Sequence, residues 1–145
     1  MDMSSFGNFH HVGAIVKDMD KAIAGLATVG VKPTGGMPGG GDVAEMHFTG
    51  EFKGKATEWG VKICMLKMGE LDIELLQPTG GFSILQEFID EGKEGVHHVA
   101  YIVDDVEKET AALVAQGCKV LTKGTGKKSF YYLETGGGII IELRG

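Results

Sequence analysis

Four side chains in this 145-residue chain have the types and settings to hold one metal ion: His11, Glu74, His98 and Glu142. Each histidine opens a β-branched run, and each glutamate sits among aliphatic neighbours, as Ile73-Glu74-Leu75 and Ile141-Glu142-Leu143. A lone carboxylate in such surroundings is costly or is driven neutral, so both glutamates call for a partner. Two imidazoles and two carboxylates make a ligand set of mixed hardness. It suits Zn²⁺, Co²⁺, Ni²⁺, Mn²⁺ or Fe²⁺ without choosing among them. An octahedral ion so held keeps two positions for a chelating pair of oxygens, which is a setting for Lewis-acid chemistry.

What relates the four is an internal repeat. His10-His11-Val12 returns as His97-His98-Val99, 87 residues on, and residues 10–32 match 97–119 at eleven of 23 positions. Each copy begins with a strand, followed by an acidic residue placed to cap a helix, Asp18 or Asp105. Helical spacing follows at Met19, Ala22, Ile23, Leu26 and Ala27, and again at Val106, Thr110, Leu113 and Val114. Gly30 and Gly117 stand where a left-handed residue ends a helix. Three further strands are expected per copy, over about 43–48, 61–67 and 71–76, then about 118–122, 129–133 and 139–143. The chain is therefore read as one α+β domain spanning 1–145, with two tandem βαβββ modules (about 9–78 and about 95–145) joined by a linker helix within about 80–94. The two modules form a curved eight-stranded mixed sheet around a metal-binding cleft. Strand alternation puts His11, Gly13 and Ile15 on the face away from the first helix, and His98, Ala100 and Ile102 likewise in the second copy. Glu74 and Glu142 share that inner face. His10 and His97 point the other way by the same rule and are read as structural. The Gly35–Gly41 stretch lacks regular structure and could form a rim over the cleft.

The net charge of −6 disfavours a nucleic-acid binder. Cys64 and Cys118 lie in separate apolar runs and read as reduced thiols. The first residues carry no signal-peptide pattern, and no run is long enough for a membrane span, so a cytoplasmic protein is expected.

Paired βαβββ modules carrying His11, Glu74, His98 and Glu142 resemble the vicinal oxygen chelate superfamily, and within it the methylmalonyl-CoA epimerases most of all. The resemblance covers about residues 9–143. It rests on Ile73-Glu74-Leu75-Leu76-Gln77-Pro78, on Ser83-Ile84 with Phe88, on Gly95-Val96-His97-His98-Val99-Ala100 before Val103-Asp104-Asp105, and on Gly137 to Leu143. The resemblance implies one divalent metal ion, 1,1-proton transfer at the carbon α to a thioester, and two acid/base residues. Glu142 is one. Glu58, just before Gly60-Val61 in Thr57-Glu58-Trp59-Gly60-Val61, is the other. An acyl-CoA substrate and a homodimer are implied too, with Lys53, Lys55 or Lys127 helping to dock CoA phosphates. A glyoxalase I-like lyase acting on a thiol hemithioacetal is the alternative, and a metal-free antibiotic-binding protein a weaker one. A dioxygenase fits less well, because it needs only one carboxylate. Glu134-Thr135 replaces the His-Pro pair usual before the last strand, and His47 has no assigned role.

Overall fold

The structure, a computed structural model, describes residues 6–145. Its elements run β1 (Phe9–Ile15), α1 (Met19–Ala27), β2 (Val43–Phe52), β3 (Lys55–Met68), β4 (Leu71–Gly81), α2 (Ile84–Asp90), β5 (Gly95–Ile102), α3 (Val106–Ala115), β6 (Lys119–Thr125), β7 (Phe130–Glu134) and β8 (Ile140–Arg144). The duplicated βαβββ order and the linker helix are as the sequence predicts. No helix among the described residues is long and apolar enough to cross a membrane.

The capping residues act as expected. The carboxylate of Asp18 accepts the backbone N–H of Lys21 at 3.0 Å, and that of Asp105 accepts from Lys108 at 3.1 Å. Gly30 and Gly117 take φ of 84° and 106°. In each case a residue beyond closes the helix, Val31 N–H onto the Leu26 carbonyl and Cys118 N–H onto the Leu113 carbonyl.

The eight strands close into a barrel, in the order β1-β4-β3-β2-β6-β7-β8-β5. Within each module the first and last strands run parallel, β1 with β4 and β5 with β8. The modules meet at two antiparallel seams, β1 with β5 and β2 with β6. The second seam uses residues beyond the expected end of β2, Thr49 to Phe52 against Thr122 to Thr125. A two-residue turn at Lys53-Gly54, with φ of 51° and 75°, then returns the chain into β3. Three apolar clusters follow from strand alternation. One, holding Ile15, Trp59, Val61 and Leu76, faces the barrel interior. The other two face outward, under α1 through Ala14, Leu66 and Leu75, and under α3 through Leu133, Ile141 and Leu143.

Candidate functional site

His11 sits on β1, Glu74 on β4, His98 on β5 and Glu142 on β8, the four strands adjoining the first seam. The barrel brings one ligand atom from each to within 4.8 Å of every other. His11 Nε2 is 3.5 Å from Glu74 Oε1 and 3.6 Å from Glu142 Oε1, and His98 Nε2 is 3.9 Å from Glu142 Oε1. With metal–ligand bonds of about 2.0–2.2 Å, ligand atoms around one ion stand roughly 3–4 Å apart, so the spacing fits with little adjustment. His11, His98 and Glu142 are buried, yet His11 Nε2, His98 Nε2 and Glu142 Oε1 have no hydrogen-bond partner among the described residues. Three buried polar atoms left unsatisfied around one point are costly unless a cation fills it. The residues fit a divalent ion.

The protein shapes this cluster through two bulges. On the β1–β5 seam Phe9 pairs with Tyr101 and His11 with Ala100, while Gly13 pairs with His98 and Ala14 with Val96. His10 and His97 are thus the extra residues, one per module. A bulge turns its extra residue from the alternating direction. That corrects the expected outward orientation. His10 lines the cleft, and its Nδ1 lies 2.7 Å from His11 Nδ1; His97 Nδ1 lies 3.0 Å from His98 Nδ1. For each Nε2 to offer its lone pair, each ligand-type histidine carries its proton on Nδ1 and donates it to the neighbouring imidazole.

Gly13 makes the room for this arrangement. A Cβ built there would collide with the His98 ring. Gly13→Ala is expected to displace that ring and weaken divalent metal binding by about tenfold or more, which calorimetric titration of the variant checks.

Electrostatics follow from burial. Burial, then the charges of His10 and Arg144, pulls His11 down to about 3, and burial also holds His98 well below its ordinary value. Burial pushes Glu74 up to about 7, and burial with the Glu74 charge pushes Glu142 up to about 8. A carboxyl raised in the folded state contributes stability that is complete below the ordinary value of 4.5 and lost as pH rises through the folded value. The lowered histidines act oppositely, and their contribution is already complete above 6.5. Chelator-treated protein is therefore expected to melt at progressively lower temperature between pH 6.5 and about 8. Saturation with Zn²⁺ should remove that decline, and scanning calorimetry with and without the ion checks both statements.

Glu74 and Glu142 open onto a cleft of about 870 Å³ whose wall is largely apolar, including Trp59, Val61, Ile63 and Phe130. Met37 and Pro38 of the glycine-rich stretch reach its rim. Lys127 lines it as expected; Lys53 instead pairs with Glu87, and neither Lys53 nor Lys55 lines the cleft. Glu58 stands apart from the four-residue cluster. This exposed residue alternates with the buried Trp59 and lines an adjoining groove, which shares Phe48 and Trp59 with the cleft and also holds Glu45, His47 and Thr79. Tyr132 is a cleft residue the sequence reading missed. It is the cross-strand partner of Glu142, as Met65 is of Glu74, and its ring packs 4.8 Å from that of His98. The repeat itself carried the signal, since the residue opposite each glutamate faces the same interior.

Comparison with known proteins agrees with this architecture. Residues 10–132 match the family model described as Glyoxalase/Bleomycin resistance protein/Dioxygenase superfamily. The chain is 27% identical over 146 residues to the mitochondrial methylmalonyl-CoA epimerase of Bos taurus, covering 96% of this chain and 74% of that protein. Identity to the Homo sapiens protein of the same name is 24%, over 96% and 74%. Among solved structures, methylmalonyl-CoA epimerase from Mycobacterium tuberculosis superposes with a TM-score of 0.66 at 22% identity, over 99% of this chain and 91% of that one. A Streptomyces coelicolor methylmalonyl-CoA epimerase variant in complex with 2-nitronate-propionyl-CoA gives 0.64 at 23% identity, over 94% and 92%.

Proposed function

The chain belongs to the glyoxalase/bleomycin resistance protein/dioxygenase superfamily, and from that membership we propose that it is a metal-dependent epimerase moving the α-proton of an acyl-CoA thioester of the methylmalonyl-CoA type. The observation that carries this reading is the meeting of four ligand-type atoms, three of them without partners, beside a cleft large enough for an acyl group. Relatives that align over nearly the whole chain bear the name of that activity, which favours it over a glyoxalase-type lyase.

His11, Glu74, His98 and Glu142 would hold one divalent ion. When bound, the ion supplies Lewis-acid stabilisation of the negative charge that develops on the thioester oxygen as the α-proton leaves. The chain's own groups do the rest. Epimerisation removes a proton from one face of the carbon and returns one to the other. Among the described residues the side-chain carboxylates lining the cleft are Glu142 and its module-one counterpart Glu74, while Glu58 lines the adjoining groove that shares Phe48 and Trp59 with it. Burial raises both carboxyls in the metal-free cleft, and a bound ion would bring them down again. The largely apolar wall beside the two carboxylates limits the approach of water and favours protonation by the protein over protonation by solvent.

The test is deuterium wash-in at the α-carbon of 2-methylmalonyl-CoA by the metal-loaded protein in D₂O, followed by NMR. Exchange faster than without enzyme is expected. Absence of exchange, with turnover of methylglyoxal and glutathione instead, would move the reading to the lyase. A homodimer remains our proposal as well, and sedimentation at twice the mass of one chain is its expected signature.

A further inference from the structure

Arg144 closes β8 two residues after Glu142, so the two side chains share the interior face. Both line the cleft. Strand pairing sets Phe130 beside Arg144 and Tyr132 beside Glu142, so the guanidinium is part of the same inner surface as the ligand cluster. Arg144 is half-buried, and no carboxylate among the described residues lies within 4.0 Å of its guanidinium. Lys127 and Lys128 line the same cleft at the turn between β6 and β7. This cationic edge stands out in a chain of net charge −6.

Charge balance gives the consequence. Two carboxylates, Glu74 and Glu142, neutralise one divalent ion, and the two histidines bind it without charge. Both carboxylates are then committed to the ion, and no other carboxylate among the described residues pairs with Arg144, which faces the cleft. A cation so placed favours an incoming anion, and a guanidinium fork matches a carboxylate in two parallel hydrogen bonds. From this geometry we infer that Arg144 is the specificity-determining residue of the cleft, receiving a free carboxylate on the acyl group of the substrate. The inference rests on the epimerase reading and narrows it. It selects 2-carboxyacyl thioesters over acyl groups that carry no charge.

The test compares calorimetric binding of methylmalonyl-CoA and propionyl-CoA, which lacks the carboxylate, to Zn²⁺-loaded wild type, R144M and R144K. R144M should weaken methylmalonyl-CoA binding about tenfold to a hundredfold, the range for a lost charge-assisted pair. It should leave propionyl-CoA within about twofold, and R144K, which keeps the charge without the fork, should recover part of the loss. Equal weakening of both ligands, or of neither, would overturn the assignment. Should wild type bind neither thioester, the epimerase reading fails, and free methylmalonate then decides on Arg144 alone. Methylmalonate binding that R144M weakens keeps the residue as the carboxylate receptor. Binding that R144M leaves unchanged, or no binding at all, removes it.

Discussion

Glu142→Gln is expected to slow α-proton exchange at least about a hundredfold, because under the proposed function it removes a proton acceptor and a metal ligand in one step. The same change should stabilise the metal-free protein above pH 8. Glu142 is buried, and its carboxyl is pushed up to about 8 by burial and the Glu74 charge. A neutral amide of the same shape avoids burying that charge. Activity and metal-free stability should therefore move in opposite directions. A Glu142→Gln protein that melts lower than wild type without metal at high pH, yet still exchanges the proton, would contradict both roles. Exchange by NMR and scanning calorimetry on one preparation give the two readings.

The second large effect concerns His10 and His97. Each is the bulge residue of its strand, and each sets an Nδ1 within hydrogen-bonding distance of a ligand-type histidine. His10→Phe or His97→Phe keeps an aromatic ring and removes the acceptor. Loss of such an outer partner is expected to weaken divalent metal binding about tenfold to a hundredfold in each single variant. His10→Asn offers an amide oxygen in the acceptor's place and should recover most of the loss. If the Phe variants bind Zn²⁺ as tightly as wild type, the histidine pairs are packing contacts only. The two rings differ in their surroundings, since His97 also stacks edge-on against Phe88 at 4.9 Å while His10 faces the cleft. His97→Phe should thus disturb folding stability more.

The ligand cluster was legible in the sequence because duplication ties its members together. One histidine and one glutamate per module, at equivalent positions of strands with clear alternation, leave little freedom in where they meet. The same rule failed at His10 and His97. Alternation presumes an unbroken ladder, and both residues sit at ladder breaks that only the pairing of β1 with β5 reveals. The strand position of Glu58 was hidden for a related reason. Its neighbourhood, Thr57-Glu58-Trp59-Gly60, lay outside the expected strand. It is in fact the start of a 14-residue β3 in which Trp59 takes the interior and Glu58 the exterior. The extension pairs with Gly80 and Gly81 on β4, at least 20 residues on in the chain, and with Thr49 across the β2–β3 hairpin. Barrel closure was likewise out of reach. It depends on the tails of β2 and β6 meeting, and Thr49, Thr125 and their neighbours carry no apolar pattern to announce it. Arg144 escaped notice because a single arginine at the end of a strand has no repeat counterpart to mark it.

On the proposed function, His11, Glu74, His98 and Glu142 together hold one divalent cation, and that cation makes the cleft catalytic. Calorimetric titration of chelator-treated protein with Co²⁺ tests it most directly, run on wild type and on a Glu74→Gln/Glu142→Gln double variant. The prediction is saturation at one ion per chain for wild type, with the binding heat lost in the double variant. Co²⁺ bound equally well by both proteins, or by neither, would contradict it.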